Sequence, residues 1–255
     1  ARYASSRFPG KPLVQLKLPN GKQKSLIELS WQAAKAVKNV EEVFIATDDR
    51  RIAEAAKLFG AKVIMTSEQC ANGTERCAEA VKTARLTSDL IINLQGDAPL
   101  TPVWFIEKLI EAMQADLTAE MATPVLPLDR LTHQHFLEDR RHGRVGGTTA
   151  VFDKNQHALY FSKEVLPFMD FSALENTAPL PSFHHVGVYA YRRKSLADYL
   201  TWPPGPLEGL EGLEQLRFLE NGRKVKCVKV DARGKVFWEL NNPEDVARIE
   251  SAIEG

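Results

Sequence analysis

Apolar and polar positions along this chain fall into blocks with two different periods. Residues 25–38 (SLIELSWQAAKAVK) carry apolar side chains at helical spacing behind Ser25, a residue suited to an N-cap. Residues 43–47 (VFIAT) are a short continuous apolar run, the pattern of a buried strand. The alternation repeats: helix over 49–59 with Gly60 as its stop, strand over 62–65, helix over 74–85 with Thr74 as its cap, strand over 90–95, helix over 102–115 with proline at its start, strand over 121–125. Strands alternating with helices predict an α/β domain with a doubly wound, mostly parallel sheet.

The middle of the chain changes character. Residues 145–152, 159–162 and 185–191 read as strands with few helical turns between them, which predicts a smaller β-rich lobe or an extension of the sheet. Residues 207–221 return to a helical pattern ended by Gly222, 225–230 form a strand, and 243–253 a closing helix with Asn241 and Asn242 as cap candidates. The chain is expected to be one domain, with parts at about 1–125, 126–222 and 223–255. Residues 1–11 (ARYASSRFPGK) read as a loop, and a short apolar strand is expected ahead of residue 1.

Composition narrows the class. Of 255 residues, 44% are hydrophobic, enough for a sizeable core. Lys plus Arg and Asp plus Glu are both 33, so the basic excess of a nucleic-acid binder is absent. No apolar run approaches the ~20 residues of a membrane span, and no secretory pattern opens the chain. The three cysteines, Cys70, Cys77 and Cys227, form no CxxC pair and are expected as reduced thiols in a cytoplasmic protein.

Six segments carry candidate chemistry. Arg2, Ser5, Arg7, Gly10 and Lys11 combine a glycine, which lets a ligand approach the backbone, with cations able to hold phosphate oxygens. A solvated basic terminus is the competing reading. Asp97 follows a predicted strand at its carboxyl end, where open α/β sheets place ligands, and a carboxylate there can hold Mg²⁺; a turn or cap role competes. Gly73, Thr74 and Arg76 open a predicted helix, whose free N–H groups can face an anion. Two segments are Tyr160–Lys163 and the pair His184 and His185, with Tyr189 beyond. Neighbours on a strand point to opposite faces, so at most one histidine can face a given site, which argues against zinc. In the last segment Glu208, Glu211 and Gln215 share one face of a continuous helix, with Arg217 turned away. A solvated face is the default for such a stripe.

Taken in order, the segments ARYASSRFPGKPL, VFIATDD, NGTERCAEAV, INLQGDAPL, ALYFSK, HHVGVYAYR, PLEGLEGLEQLRFLENG and NNPEDV resemble the CMP-KDO synthetases, the 3-deoxy-manno-octulosonate cytidylyltransferases. The resemblance implies a nucleotidyltransferase-type α/β fold with a dimerisation lobe, a homodimer, CTP and Mg²⁺. It implies transfer of CMP to the anomeric hydroxyl of a 2-keto-3-deoxy sugar acid with release of pyrophosphate, for lipopolysaccharide or capsule. Arg7 and Lys11 would then hold phosphates and Asp97 the metal. Arg2, Ser5, Gly10, Gly73, Thr74 and Arg76 would lie near the nucleotide, and Gln95, Lys163, His185, Tyr189, Glu214 and Gln215 near the sugar.

Four positions depart from the family pattern. Asn241 stands where the family has a metal-binding Asp, Lys163 where it usually has Arg, and Ala98 where it often has Glu. Gly146 to Val151 lacks the lysine of a Val-Lys-Val segment. Lysine is a point charge and cannot grip a carboxylate in a forked pair, and asparagine offers a metal an oxygen without charge. These changes predict an unchanged nucleotide and a sugar acid other than ordinary KDO. Another sugar nucleotidyltransferase and a non-catalytic nucleotide-binding paralogue remain as alternatives.

Overall fold

The computed structural model describes residues 1–4, 8–145, 147–170, 180–235, 240 and 242–254. After a 3-10 turn at Lys11–Leu13, the elements in chain order are β1 (Gln15–Lys17), β2 (Gln23–Ser25), α1 (Leu26–Lys35), β3 (Phe44–Thr47), α2 (Arg50–Leu58), β4 (Lys62–Met65), α3 (Gly73–Thr83), β5 (Leu90–Leu94) and α4 (Val103–Ala115). Then come β6 (Met121–Pro127), α5 (Arg130–Arg141), β7 (Thr149–Phe152), β8 (Ala158–Ser162), β9 (Phe183–His185), β10 (Val188–Arg192), α6 (Arg193–Tyr199), α7 (Pro206–Glu211), α8 (Leu216–Glu220), β11 (Val225–Lys229) and α9 (Asp245–Glu254). They form two compact units, Ala1–Glu107 with Ala232–Gly255, and Lys108–Asp231. No described helix is long and apolar enough to cross a membrane.

In the first unit the helices start where side chains satisfy their free N–H groups. Ser25 accepts from Glu28 N, Asp49 from Arg51 N, and Asn72 from Glu75 N at 2.8 Å. The cap of α3 is therefore Asn72, two residues before the Thr74 expected from sequence. Glu75 in turn accepts from Ala71 N at 2.8 Å. β3 and β4 pair in parallel over four residues, and Ile45, Ile52 and Ala56 bury their side chains in one cluster. A second cluster joins Leu16, Leu26, Leu240 and Ile249, so the returning segment completes the core of this unit.

The second unit is organised around β6, whose residues are buried from Met121 to Leu126. One edge of β6 pairs in parallel with β11, from Met121 opposite Val225 to Val125 opposite Lys229. The other edge pairs antiparallel with β10 at Met121 and Ala122, then with β9 from Val125 to Pro127. The run read as one strand over 185–191 is thus two. Pro124 explains the break: its carbonyl accepts from Val186 N at 3.0 Å, but it has no N–H to give the same edge. Thr123 Oγ1 reaches the carbonyls of Val186 and Val188, both at 3.0 Å, and spans the interruption. β9 continues into β7 and β7 into β8, all antiparallel. Parallel pairing therefore holds for β3 with β4 and β6 with β11, and this unit adds a largely antiparallel set. The unit boundaries fall at 107/108 and 231/232, and β6 and β11, which pair along their length, lie in one unit.

Two helices were not expected between these strands, α5 and α6. α5 buries only His133 and Phe136, so its polar sequence hides its period. The helix read over 207–221 is broken at Gly212, which takes φ +62° and ends α7. In an unbroken helix, nine residues would leave Arg217 half a turn away from Glu208. After the break, Arg217 returns over α7: Nε donates to Glu208 Oε2 at 2.6 Å and Nη2 to Oε1 at 2.7 Å. The side chains are only 3% and 10% exposed, and the guanidinium also sits 4.1 Å from the Tyr199 ring centroid. The expected solvated stripe is instead a buried ion pair. Removing one partner strands the other charge away from water. Arg217→Met is expected to destabilise the protein by about 3–5 kcal/mol in urea unfolding.

Candidate functional site

The first unit brings residues from its two ends of sequence together. Gly10 adopts φ +73° and turns the chain into Lys11, whose Nζ meets Asp97 Oδ2 at 2.6 Å. Asp97 sits just past β5, in a turn held from behind: Ser30 Oγ donates to the Gly96 carbonyl at 3.1 Å, and Leu240 N to the Asp97 carbonyl at 2.9 Å. The pair is partly shielded, with side chains 13% and 27% exposed. A phosphate could take the ammonium and a divalent cation the carboxylate, each charge replacing the present partner.

Beside this lies the start of α3. A Cβ on Gly73 would fall 2.9 Å from Gln95 Nε2, so glycine is what lets the Gln95 amide lie against the helix N-terminus. Gln95 Nε2 donates weakly to Asn93 Oδ1 at 3.4 Å, and the buried Asn93 Nδ2 has no partner among the described residues. Thr74 is buried in the first turn. Arg76 is buried as well, and its guanidinium holds Asp48 (2.7 Å) and Thr66 Oγ1 (2.6 Å), tying α3 to the ends of β3 and β4. Arg2 is exposed. Ser5, Arg7, Gly146 and Asn241 lie outside the described residues.

The second unit gathers His185, Tyr189 and Gln215. The His185 ring lies 5.1 Å from Phe161 and 5.7 Å from Tyr189, and Tyr189 Oη donates to Gln215 Oε1 at 3.5 Å. His185 and Gln215 are 6% and 1% exposed, yet the Nε2 of each has no partner among the described residues. Two buried polar nitrogens left open in one cluster could each meet a ligand oxygen, because an unmet buried polar group is costly. His184 points elsewhere, edge-on to Phe136 at 5.4 Å, as the alternation of a strand requires. Among the described residues no three metal-ligating side chains converge.

Lys163 and Glu214 flank this cluster in sequence, the first just past β8 and the second before α8. Lys163 Nζ lies 3.1 Å from where a Gly212 Cβ would be, so that glycine leaves room for the ammonium. Its backbone N–H donates to Glu211 Oε2 at 2.9 Å, while Glu211 Oε1 accepts from Ser162 Oγ at 2.6 Å and Tyr160 Oη at 3.4 Å. Glu211 thus seats Lys163, a role that helical spacing could not show because its partners are about fifty residues away. The Glu214 carbonyl accepts from Tyr199 Oη at 3.3 Å, which ties its turn to the aromatic core.

Burial pushes the His185 imidazole down to about 3, with His184 nearby adding to the effect, and burial alone takes His184 to about 4. Both rings are neutral near pH 7.

An α/β chain with a glycine–lysine turn set against a strand-end carboxylate is built to handle a phosphorylated ligand. The known proteins it resembles are consistent with that class. The family profile described as cytidylyltransferase matches residues 1–225. The chain is 42% identical over 253 residues to the 3-deoxy-manno-octulosonate cytidylyltransferase of Maricaulis maris, covering 99% of this chain and 94% of that one. It is 40% identical over 254 residues to the 8-amino-3,8-dideoxy-manno-octulosonate cytidylyltransferase of Shewanella pealeana, covering 99% and 96%. A solved structure of CMP:2-keto-3-deoxy-manno-octonic acid synthetase complexed with CTP superposes with a TM-score of 0.82 at 31% identity, covering 98% of this chain and 94% of that one. The chain belongs to the cytidylyltransferase family, and its fold is of the nucleotidyltransferase type.

The depressed His185 value has a measurable sign. An unfolded histidine titrates near 6.5, so on acidification the unfolded chain binds the proton first and folding loses stability below that pH, down to about 3. Histidine NMR is expected to show the His185 ring unprotonated from pH 8 to 5. The unfolding free energy of the wild type is expected to fall more steeply between pH 6.5 and 4.5 than that of His185→Gln.

Proposed function

We propose that this enzyme transfers CMP from CTP to the anomeric hydroxyl of a 3-deoxy-2-keto sugar acid of the octulosonate class, releasing pyrophosphate. The observation that carries this reading is the Lys11–Asp97 pair at the end of β5, presented by the Gly10 turn. The names of the relatives supply the nucleotide and the class of sugar.

The chemistry follows from the charges. The sugar hydroxyl attacks the α-phosphorus and gives up its proton, a new P–O bond forms, and the bond from the α-phosphorus to the bridging oxygen breaks, leaving negative charge on pyrophosphate. The protein's task is alignment and charge stabilisation. Lys11, with Arg7 and Arg2, holds phosphate oxygens. Ser5, Gly10, Gly73 and Thr74 offer close backbone or hydroxyl contacts to the nucleotide, and Arg76 acts from its pair with Asp48 by fixing α3. Asp97 is the residue that would hold Mg²⁺, with Asn241 as a second oxygen donor. A single carboxylate suits that ion, which keeps waters and takes substrate phosphates as further ligands. When bound, Mg²⁺ neutralises phosphate charge.

On the sugar side, Lys163 provides a point charge for the carboxylate. His185, neutral, and Gln215 each offer an open nitrogen to hydroxyls, with Tyr189 and Glu214 as further polar groups of the same unit; Gln95, in the first unit, is assigned to the sugar by the resemblance alone. Relatives named for KDO and for its 8-amino analogue stand at 42% and 40% identity, so overall similarity does not separate the two acids. The Lys163 and Asn241 departures favour an acid other than plain KDO. A homodimer is part of this reading. Leu159, Phe168 and Leu210 are exposed apolar side chains of the second unit that a partner subunit could cover.

Pyrophosphate release is the direct assay, with CTP, ATP, GTP and UTP each run against KDO, 8-amino-3,8-dideoxy-manno-octulosonate and shorter and longer ulosonic acids. Release is expected only with CTP plus an octulosonate, and Asp97→Asn is expected to lower kcat by about 10²-fold or more. Efficient turnover of KDO alone would remove the altered-sugar reading. Release with a sugar 1-phosphate instead would move the enzyme to another branch of the nucleotidyltransferases.

A further inference from the structure

The geometry points to Tyr3 as a positioning residue: its ring, held between Gly10 and Arg51, locks the turn that presents Lys11. This inference rests on the reading of that turn as the holder of the CTP phosphates.

Three contacts converge on Tyr3. Its carbonyl accepts from Gly10 N at 3.0 Å, which closes the loop between them. Its ring lies across the α-carbon of Gly10, where a Cβ would meet Cζ at 3.0 Å, Oη at 3.1 Å and Cε2 at 3.2 Å. Gly10 is at φ +73°, so the position refuses a side chain on both conformational and steric grounds. The guanidinium carbon of Arg51 sits 3.3 Å from the ring centroid, the geometry of a cation–π contact.

Arg51 is itself fixed. Its Nε donates to Asp49 Oδ1 at 3.0 Å and its Nη2 to Oδ2 at 2.6 Å. The same Asp49 caps α2 by accepting from Arg51 N at 2.8 Å. The Tyr3 ring also packs on the cluster of Ile27, Ile45 and Ile52. A continuous set of contacts therefore runs from the core and the start of α2, through Asp49 and Arg51, to Tyr3, Gly10 and Lys11. Two of the N–H groups of Arg51 are committed to Asp49, which marks it as a brace.

The value of such a brace is entropic. A turn that must order around the triphosphate loses affinity in ordering, and one already closed does not. Lys11 is the beneficiary, since its ammonium is delivered directly by the residue after Gly10. The effect belongs to the nucleotide and not to the sugar acid, which separates it from simple core filling.

The experiment is steady-state pyrophosphate release by the full chain with CTP and the preferred octulosonate, for wild type, Tyr3→Leu, Tyr3→Phe and Arg51→Met. Tyr3→Leu is expected to raise KM for CTP about tenfold, and Arg51→Met, whose side chain is 58% exposed, about threefold. KM for the sugar acid should stay within about twofold of wild type in both. Tyr3→Phe, which keeps the ring, should restore the wild-type KM for CTP. Equal rises in both KM values, or a lowered Tm with unchanged KM for CTP, would overturn the positioning role while leaving the cytidylyl transfer intact. A wild type that turns over without CTP would overturn the function of the turn and this inference with it. If Tyr3→Leu does not fold, the exposed Arg51→Met decides alone.

Discussion

A lysine and an aspartate held at 2.6 Å across eighty-six residues of sequence are the constraint on which the first unit depends. Neither charge is fully in water. Their positions are set by backbone: a left-handed glycine before one, the end of a strand before the other. α1 contributes through Ser30, and the returning segment through Leu240. Under the proposed reading the pair would give way to ligand, since a nucleotide–metal complex offers each member an alternative of opposite charge.

The second unit solves a different problem, that of keeping polar atoms buried while leaving some of them open. The Glu208–Arg217 pair and the ring of Tyr199 close one polar knot completely. Glu211 closes another against β8. Between these satisfied groups, Nε2 of His185 and of Gln215 remains without a partner among the described residues. Saturated polar networks make rigid surroundings, and the few unsaturated atoms inside them can then be placed with small positional error.

Much of the alternating part of the fold was legible in the chain. Ser25, Asp49 and Gly60 mark helix ends by local chemistry, and the apolar runs of β3, β4 and β5 stand out because each is bounded by polar residues. The Gly10–Lys11 turn and the place of Asp97 beyond its strand were legible because both are local. What was not legible depends on partners far apart. The Arg217–Glu208 pair needs the left-handed Gly212, and a helical-wheel argument placed the two residues on opposite faces. α5 was hidden because only two of its side chains are buried. Glu211 looked like one member of a solvated stripe, since nothing in spacing reveals that donors of Tyr160, Ser162 and Lys163 converge on it.

Pro124 carries a consequence of another kind. The gap it leaves at the β6 edge separates β9 from β10, so His185 and Tyr189 belong to different strands although four residues apart. Their rings still come within 5.7 Å. If these two rings face the sugar as proposed, the footprint they offer is determined partly by a hydrogen atom that the backbone does not have. A residue with an N–H at this position could mend the ladder and shift the phase of one histidine against one tyrosine without altering either side chain. In a family whose members act on sugars differing by a single substituent, selectivity could then drift through the spine of a strand, out of sight of any comparison confined to the residues that touch the substrate.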